Sequence, residues 1–152
     1  MIFEHKEPAL SLNVEHLLRT ADTLEQALLA LQGCTDPSSV LYDLYRNAAI
    51  KSFELSLETA GKLMRKALKA FSGSPREVDR LVFNDVLRQS GKHGILDLPA
   101  VERWLAYRAN RNNTAHDYGV AFADETLQLL PAYVRDVRTV AARLQEVFDA
   151  AA

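Results

Sequence analysis

The sequence predicts an all-α fold, an up-and-down bundle of four to five helices. Apolar residues recur at three- and four-residue spacing through most of the chain. No run shows the period-2 alternation of β-branched residues that is typical of strands, and neither Asn-Gly nor Asp-Gly occurs as a hairpin turn. The 152 residues have the length of one ordinary domain. We therefore treat residues 1–152 as a single domain, whose residues 1–8 are expected to be flexible.

The first two helices are predicted from their apolar stripes and their end signals. The first covers about residues 9–32 and ends at Gly33, because glycine accepts the left-handed turn that stops helices. The second starts with Asp36 as N-cap and Pro37 as its first residue, and it continues to Phe71. Its apolar stripe is broad, so we expect it to be buried on more than one side.

A third helix is predicted from a strong start signal after the second one. Ser74 can act as N-cap, Pro75 occupies the first helical position and Glu77 completes a capping box. The helix is expected to run to about Gln89 and to end at Ser90-Gly91.

The remaining helices are predicted in the C-terminal third of the chain. Asp97 caps a fourth helix that reaches about His116, and Gly119 then breaks or bends the chain. A fifth helix covers about residues 122–149. Pro131 lies inside that helix and is expected to kink it or to divide it in two.

The charge is distributed unevenly, although the formal net charge is only −2. Residues 1–45 carry a net charge of −5, residues 46–92 carry +5 and residues 93–152 carry −2. A protein that coats long nucleic acid is usually strongly basic throughout, so this class is disfavoured. The positive segment is either a solvated helix face or a local contact for a short RNA.

Several other classes of protein and site are disfavoured by composition. No apolar run approaches the roughly 20 residues of a membrane span, and the acidic N-terminus does not resemble a secretory signal. Cys34 is the only cysteine, which excludes an intrachain disulfide and a cysteine-rich zinc site. The four histidines lack the spacing of metal ligands. We therefore expect a cytoplasmic protein with neither a metal site nor a membrane segment.

The segment from Arg108 to Gly119 has an unusual composition. It holds three asparagines, two arginines, a histidine and a tyrosine within eleven positions. Asparagine competes for backbone hydrogen bonds, so the segment is poorly suited to a helix that serves only stability. It is either a fraying helix end whose polar groups turn the chain, or a functional site.

On a helix, Arg108, Asn112 and His116 are spaced i, i+4 and i+8 and share one stripe. Arg111 lies about 140° away from His116, so the two meet through a long arginine side chain, a distorted helix end or a second copy of the chain. These groups suit RNA cleavage by the 2′-hydroxyl. His116 can act on the 2′ proton, Arg111 can stabilise the phosphate, and Asn112 can orient the site.

Arg111, Asn112, His116 and Tyr118 resemble the R-N-x-x-x-H-x-Y signature of HEPN domains that are paired with minimal nucleotidyltransferases. The likeness extends to residues 46–63, which resemble the long-helix pattern R-x-x-x-I-x-x-F-E-x-x-x-E-x-x-W-K of that family.

The resemblance also includes Ser74-Pro75-Arg76 and the helix that carries Trp104, and it covers about residues 40–145. One departure is Gly61, which stands where the family commonly has tryptophan, so the local packing there is expected to differ.

The resemblance implies a homodimeric helical bundle with a nucleotidyltransferase partner. Many such proteins are toxins of toxin–antitoxin pairs: metal-independent RNases whose arginine and histidine, here Arg111 and His116, line a cleft at the dimer interface. The partner is the antitoxin and transfers AMP from ATP to the motif tyrosine, here Tyr118, so the chain itself needs no cofactor. The alternative is a non-catalytic subunit that presents substrate to the nucleotidyltransferase.

Two further features have simpler interpretations. Trp104 shares a stripe with apolar residues, so we predict a place in the core or an interface rather than substrate stacking. Glu54 and Glu58 lie one turn apart, and a salt-bridged helix face is the common outcome for such pairs. The family pattern leaves a dimer or partner contact open for Glu54.

Overall fold

The computed structural model describes residues 13–114 and 120–151, with side chains described as far as Asn112 and again from Asp124. These residues form six α-helices, and they contain no β-strand. The helices are α1 (Glu15–Gln32), α2 (Val40–Leu68), α3 (Pro75–Arg80), α4 (Phe83–Lys92), α5 (Leu98–Thr114) and α6 (Val120–Ala151), with one 3₁₀ turn at Lys69–Phe71. The predicted all-α bundle is confirmed, with one helix more than expected.

Helix α2 is the centre of the bundle. It packs against α1, α4 and α6, and it also contacts α3 and α5. Its buried residues cover about half of the helix circumference and include Phe53, Leu57, Ala60 and Met64. The expectation that this helix is buried on more than one side is therefore confirmed.

An aromatic cluster fixes α5 against α2 and α6. The ring of Tyr133 lies edge-on to Phe53, Tyr107 and Trp104, with centroid separations of 4.8, 5.0 and 5.5 Å. The Tyr133 hydroxyl is also hydrogen-bonded to the Ser56 hydroxyl at 2.8 Å, which satisfies both polar groups inside the core. Trp104 is fully buried, so its predicted place in the core is confirmed.

The first two helices begin later than predicted. Helix α1 begins at Glu15 rather than near residue 9, with the Glu15 amide donating to the Asn13 side chain. Residues 1–12, including the segment 1–8 expected to be flexible, lie outside the described residues. The N-cap of α2 is Ser39 and not Asp36, because the Asp36 carboxylate accepts from Ser38 in a preceding turn.

The predicted third helix is two helices. Ser74 caps α3 as expected, but the backbone at Leu81 and Val82 is extended, and α4 begins after this break. Gly91 does not end a helix. It lies inside α4, where an added Cβ would come within 2.5 Å of Val101 Cγ2, so glycine permits close packing of α4 on α5.

The last two helices follow the prediction closely. The Ala100 amide donates to the Asp97 carboxylate at 2.8 Å, which confirms the cap of α5. The predicted end near His116 and the break at Gly119 lie outside the described residues. Helix α6 continues through Pro131 without being divided. No helix in the described part of the chain is both long and apolar enough to cross a bilayer.

Candidate functional site

A cleft of about 240 Å³ lies between the middle of α2, the start of α4 and the last turns of α5. Charged side chains dominate its walls, which are formed by Glu54, Leu57, Glu58, Gly61, Lys62, Arg65, Phe83, Arg108 and Arg111. The set contains four cations and two carboxylates, so the cleft carries a positive balance. Such a balance favours an anionic ligand.

Arg111 lies at the end of the cleft formed by α5. Its Nε atom is 3.9 Å from Oε2 of Glu54 on α2, at the outer limit of an ion pair. Both side chains are partly accessible, with 32% and 21% of their surface exposed. A partly accessible guanidinium is a planar cation that can bind a phosphate oxygen.

Arg108 stacks on Phe83, the first residue of α4. The guanidinium carbon is 4.6 Å from the ring centroid, which is cation–π geometry. Phe83 also covers Gly61, where an added Cβ would collide with the ring. This contact accounts for the departure from the family pattern, because Phe83 fills the space beside α2 that a side chain at position 61 would occupy.

The other two cations of the cleft come from α2. Arg65 donates from Nη1 to the backbone carbonyl of Val78 on α3 at 2.7 Å. Lys62 lies 3.9 Å from Glu58, one turn earlier on the same helix. The spacing of Glu54, Glu58, Lys62 and Arg65 places all four side chains on adjoining faces of α2.

The structure brings two of the five predicted site residues into the cleft. Arg108 and Arg111 both line it, whereas Asn112 is exposed and is not part of its wall. Arg108 and Asn112 lie one turn apart on α5 as predicted, but of these two only Arg108 lines the cleft, together with Arg111. His116 and Tyr118 lie outside the described residues, and their roles stay predictions.

Sequence reasoning missed Arg65, Lys62 and Phe83 as parts of the site. The +5 balance of residues 46–92 indicated the lysine and arginine only as a general surface property. For Glu54 the sequence left two interpretations open, a salt-bridged helix face and a partner contact. In the structure Glu54 faces Arg111. Among the residues whose side chains are described, no three histidine, cysteine, aspartate or glutamate side chains are grouped to hold a metal ion.

The chain is similar in sequence to proteins linked with nucleotidyltransferases. Residues 13–146 match the family described as "Nucleotidyltransferase substrate binding protein like". A curated Haemophilus influenzae protein named "Probable ribonuclease HepT" is 30% identical over 80 residues, which is 53% of each chain. The match therefore spans about half the length of that relative.

Two solved structures have a similar fold. One, from Haemophilus influenzae, is described as the fold of a substrate binding domain of a nucleotidyltransferase. Its TM-score is 0.77 at 24% identity, over 87% of this chain and 98% of the other. A crystal structure from Thermus thermophilus has a TM-score of 0.60 at 27% identity, over 80% of this chain and 98% of that one.

Proposed function

Since the chain belongs to the nucleotidyltransferase substrate binding protein-like family, we propose that it is a metal-independent ribonuclease toxin neutralised by a cognate nucleotidyltransferase. The observation that carries the proposal is the positive cleft that Arg108 and Arg111 both line, on the helix that carries the start of the R-N-x-x-x-H-x-Y motif. The curated relative named as a ribonuclease supports the same assignment. We propose that the chain acts in the cytoplasm, where RNA and the ATP used by its partner are both present.

The proposed reaction is cleavage of RNA by its own 2′-hydroxyl. His116 accepts the 2′ proton while the 2′-oxygen bonds to phosphorus, and the bond from phosphorus to the 5′-oxygen breaks. The leaving 5′-oxygen takes a proton from water, so the products are a 2′,3′-cyclic phosphate and a 5′-hydroxyl. Arg111 stabilises the charge that develops on the phosphate oxygens, and Arg108 and Asn112 support the site. The chain uses neither a metal ion nor a cofactor of its own.

A homodimer through α2 would complete this site. Three exposed leucines, Leu41, Leu44 and Leu55, lie along one face of α2, and their side chains are 46–57% exposed. Leu44 and Lys62 are separated by about five helical turns, so the leucines share a helix face with one wall of the cleft. An exposed apolar stripe of this kind is typical of a protein interface. Joined there by a two-fold axis, two copies would bring their clefts together around one RNA.

Modification of Tyr118 is the proposed means of neutralisation. The tyrosine oxygen attacks the α-phosphorus of ATP in the partner enzyme, AMP is transferred and pyrophosphate leaves. The added phosphodiester carries a negative charge and a nucleoside, two residues from His116. Repulsion and bulk would then exclude the phosphate of an RNA substrate from the site.

The second candidate function is a non-catalytic subunit that presents substrate to a nucleotidyltransferase. The family description and the similar Haemophilus influenzae structure favour it. Both functions predict a complex with a nucleotidyltransferase, so complex formation does not separate them. RNA cleavage by the purified chain does.

The decisive experiment is induced expression in a bacterial host that lacks the partner gene. Growth arrest by the wild-type chain, relieved by His116→Ala and by Arg111→Ala, would support the RNase. Equal harmlessness of all three chains, together with intact RNA after incubation with purified protein and EDTA, would favour the substrate-binding subunit. Co-expression with the partner, followed by intact-mass measurement, should show one added adenylate mapped to Tyr118.

A further inference from the structure

Two guanidinium groups in the cleft are held in place by uncharged partners. Arg65 donates one N–H to the carbonyl of Val78 at 2.7 Å, and Arg108 stacks on the ring of Phe83. A guanidinium has five N–H donors, so each contact fixes the group and leaves most donors for another acceptor. Neither contact neutralises the positive charge.

The carboxylates of the cleft pair with the other two cations. Glu54 lies near Arg111 and Glu58 near Lys62, each at 3.9 Å. Within the described residues, Arg65 and Arg108 have no carboxylate within ion-pair distance. The uncompensated charge of the cleft is therefore concentrated at these two arginines.

The cations are arranged along α2. Arg111 faces Glu54, and Arg108 stacks on the Phe83 ring that covers Gly61, which lies about 10 Å from Glu54 along the helix axis. Arg65 follows about 6 Å beyond Gly61. A track of this length exceeds a single phosphate group and fits the repeated phosphates of a nucleic acid strand.

We propose that Arg65, together with Arg108, binds an RNA backbone phosphate next to the scissile one, so that the cleft holds a strand rather than a single phosphodiester. This inference rests on the proposed function, in which Arg111 contacts the scissile phosphate. It makes Arg65 a binding residue that follows neither from the signature motif nor from the resemblance. The preferred ligand is an oligonucleotide with a phosphate on each side of the cleaved bond.

The test is binding of a fluorescent 2′-O-methyl hexaribonucleotide, which lacks the attacking hydroxyl, to the full chain at several salt concentrations. Arg65→Gln should weaken binding roughly tenfold, since charge-assisted hydrogen bonds are among the stronger ones. It should also reduce the slope of log affinity against log salt by about 0.7, the value for one phosphate contact in a single strand. Arg65→Lys should weaken binding less than Arg65→Gln does, and it should keep the salt slope of the wild type.

The matched control is Arg80→Gln, which removes the same charge from an exposed position on α3. If Arg65 only supports the fold, Arg65→Gln will lower the melting temperature and leave the salt slope equal to that of Arg80→Gln, which would overturn the proposal. Failure of the proposed function is a separate result. A chain that never cleaves RNA but loses affinity and salt slope in Arg65→Gln supports the strand site without the nuclease.

Discussion

The ring of Phe83 occupies the space beside Gly61 at the wall of the cleft. The ring lies where a side chain at position 61 would project from α2, and the same ring carries the guanidinium of Arg108 on α5. Three helices therefore meet around a single aromatic ring. This contact requires a residue without a side chain at position 61.

Gly61→Ala is expected to destabilise the protein. The added methyl collides with Phe83, and overpacking costs about 1–3 kcal/mol, against a helix-propensity gain of about 1 kcal/mol. In a Phe83→Ala background the collision is removed, so the same change should become stabilising. Urea unfolding of the four chains measures both effects. Gly73→Ala is the control, because an added Cβ there meets no atom within 4 Å, and equal effects at both glycines would contradict the packing argument.

Glu54→Gln should affect RNA binding and RNA cleavage in opposite directions. Loss of a carboxylate makes the cleft more positive, and affinity for a non-cleavable RNA should rise up to about fivefold. The same change removes the group beside Arg111, so kcat should fall about tenfold through misplacement of the guanidinium.

Glu58→Gln is the matched comparison for this prediction. It removes an equal charge one turn away, beside Lys62 rather than Arg111. Affinity should rise similarly with kcat unchanged. A fall of kcat in both variants would show that Glu54 has no special relationship with Arg111.

Asp136→Asn should lower the free energy of unfolding by an amount that depends on pH. The carboxylate accepts two hydrogen bonds from Arg103 at 2.8 and 2.9 Å and one from Tyr107 at 2.6 Å. Burial alone would raise the pKa of Asp136, but these hydrogen bonds outweigh it and hold the pKa below its ordinary value. The ionised form therefore stabilises the fold by about 1–3 kcal/mol. This contribution is complete above the unfolded-state pKa of about 4 and is lost as the pH falls through the lower folded-state pKa.

Thermal unfolding of the wild type and Asp136→Asn from pH 7 to pH 3 measures this contribution. The difference in melting temperature should be largest near neutrality and shrink in acid. Glu146→Gln is the control, because its exposed pairing with Arg143 one turn away contributes little. A difference that is constant with pH would contradict the assignment.

Leu41→Glu combined with Leu44→Glu is expected to produce monomers. The two side chains are 55% and 57% exposed on α2, and charges there would be buried in the proposed dimer. Light scattering after gel filtration gives the mass, and RNA cleavage should fall with dimer content. Leu98→Glu serves as control, since that leucine is 74% exposed at the start of α5. Dimers of unchanged stability in the double variant would exclude this face.

The helices were predictable where a local signal was unambiguous. Ser74 and Asp97 were identified as caps because a side-chain oxygen placed before a helix has one dominant use. Asp36 was predicted as the cap of α2 because Pro37 follows it, but Ser39 offers a second such oxygen three residues later and is the cap. The break at Leu81-Val82 carries neither glycine nor proline, so it left no local signal.

The candidate site was predictable only in part. Arg108 and Arg111 stood out through the composition of their segment, and both line the cleft. Arg65 and Phe83 lie 43 and 25 positions before Arg108, and only the packing of α4 and α5 on α2 brings them together. The predicted roles of His116 and Tyr118 depend on the family resemblance and on the chemistry of their side chains.

The ring contacts of Trp104 and Tyr107 with Tyr133 fix the rotation of α5 about its own axis immediately before its polar end. One added or deleted residue between Tyr107 and Arg111 would turn the following side chains by about 100°, and the guanidinium of Arg111 would leave Glu54. The length of this terminal turn is therefore as important to the cleft as its composition, because the aromatic anchor behind it dictates the direction in which each position points.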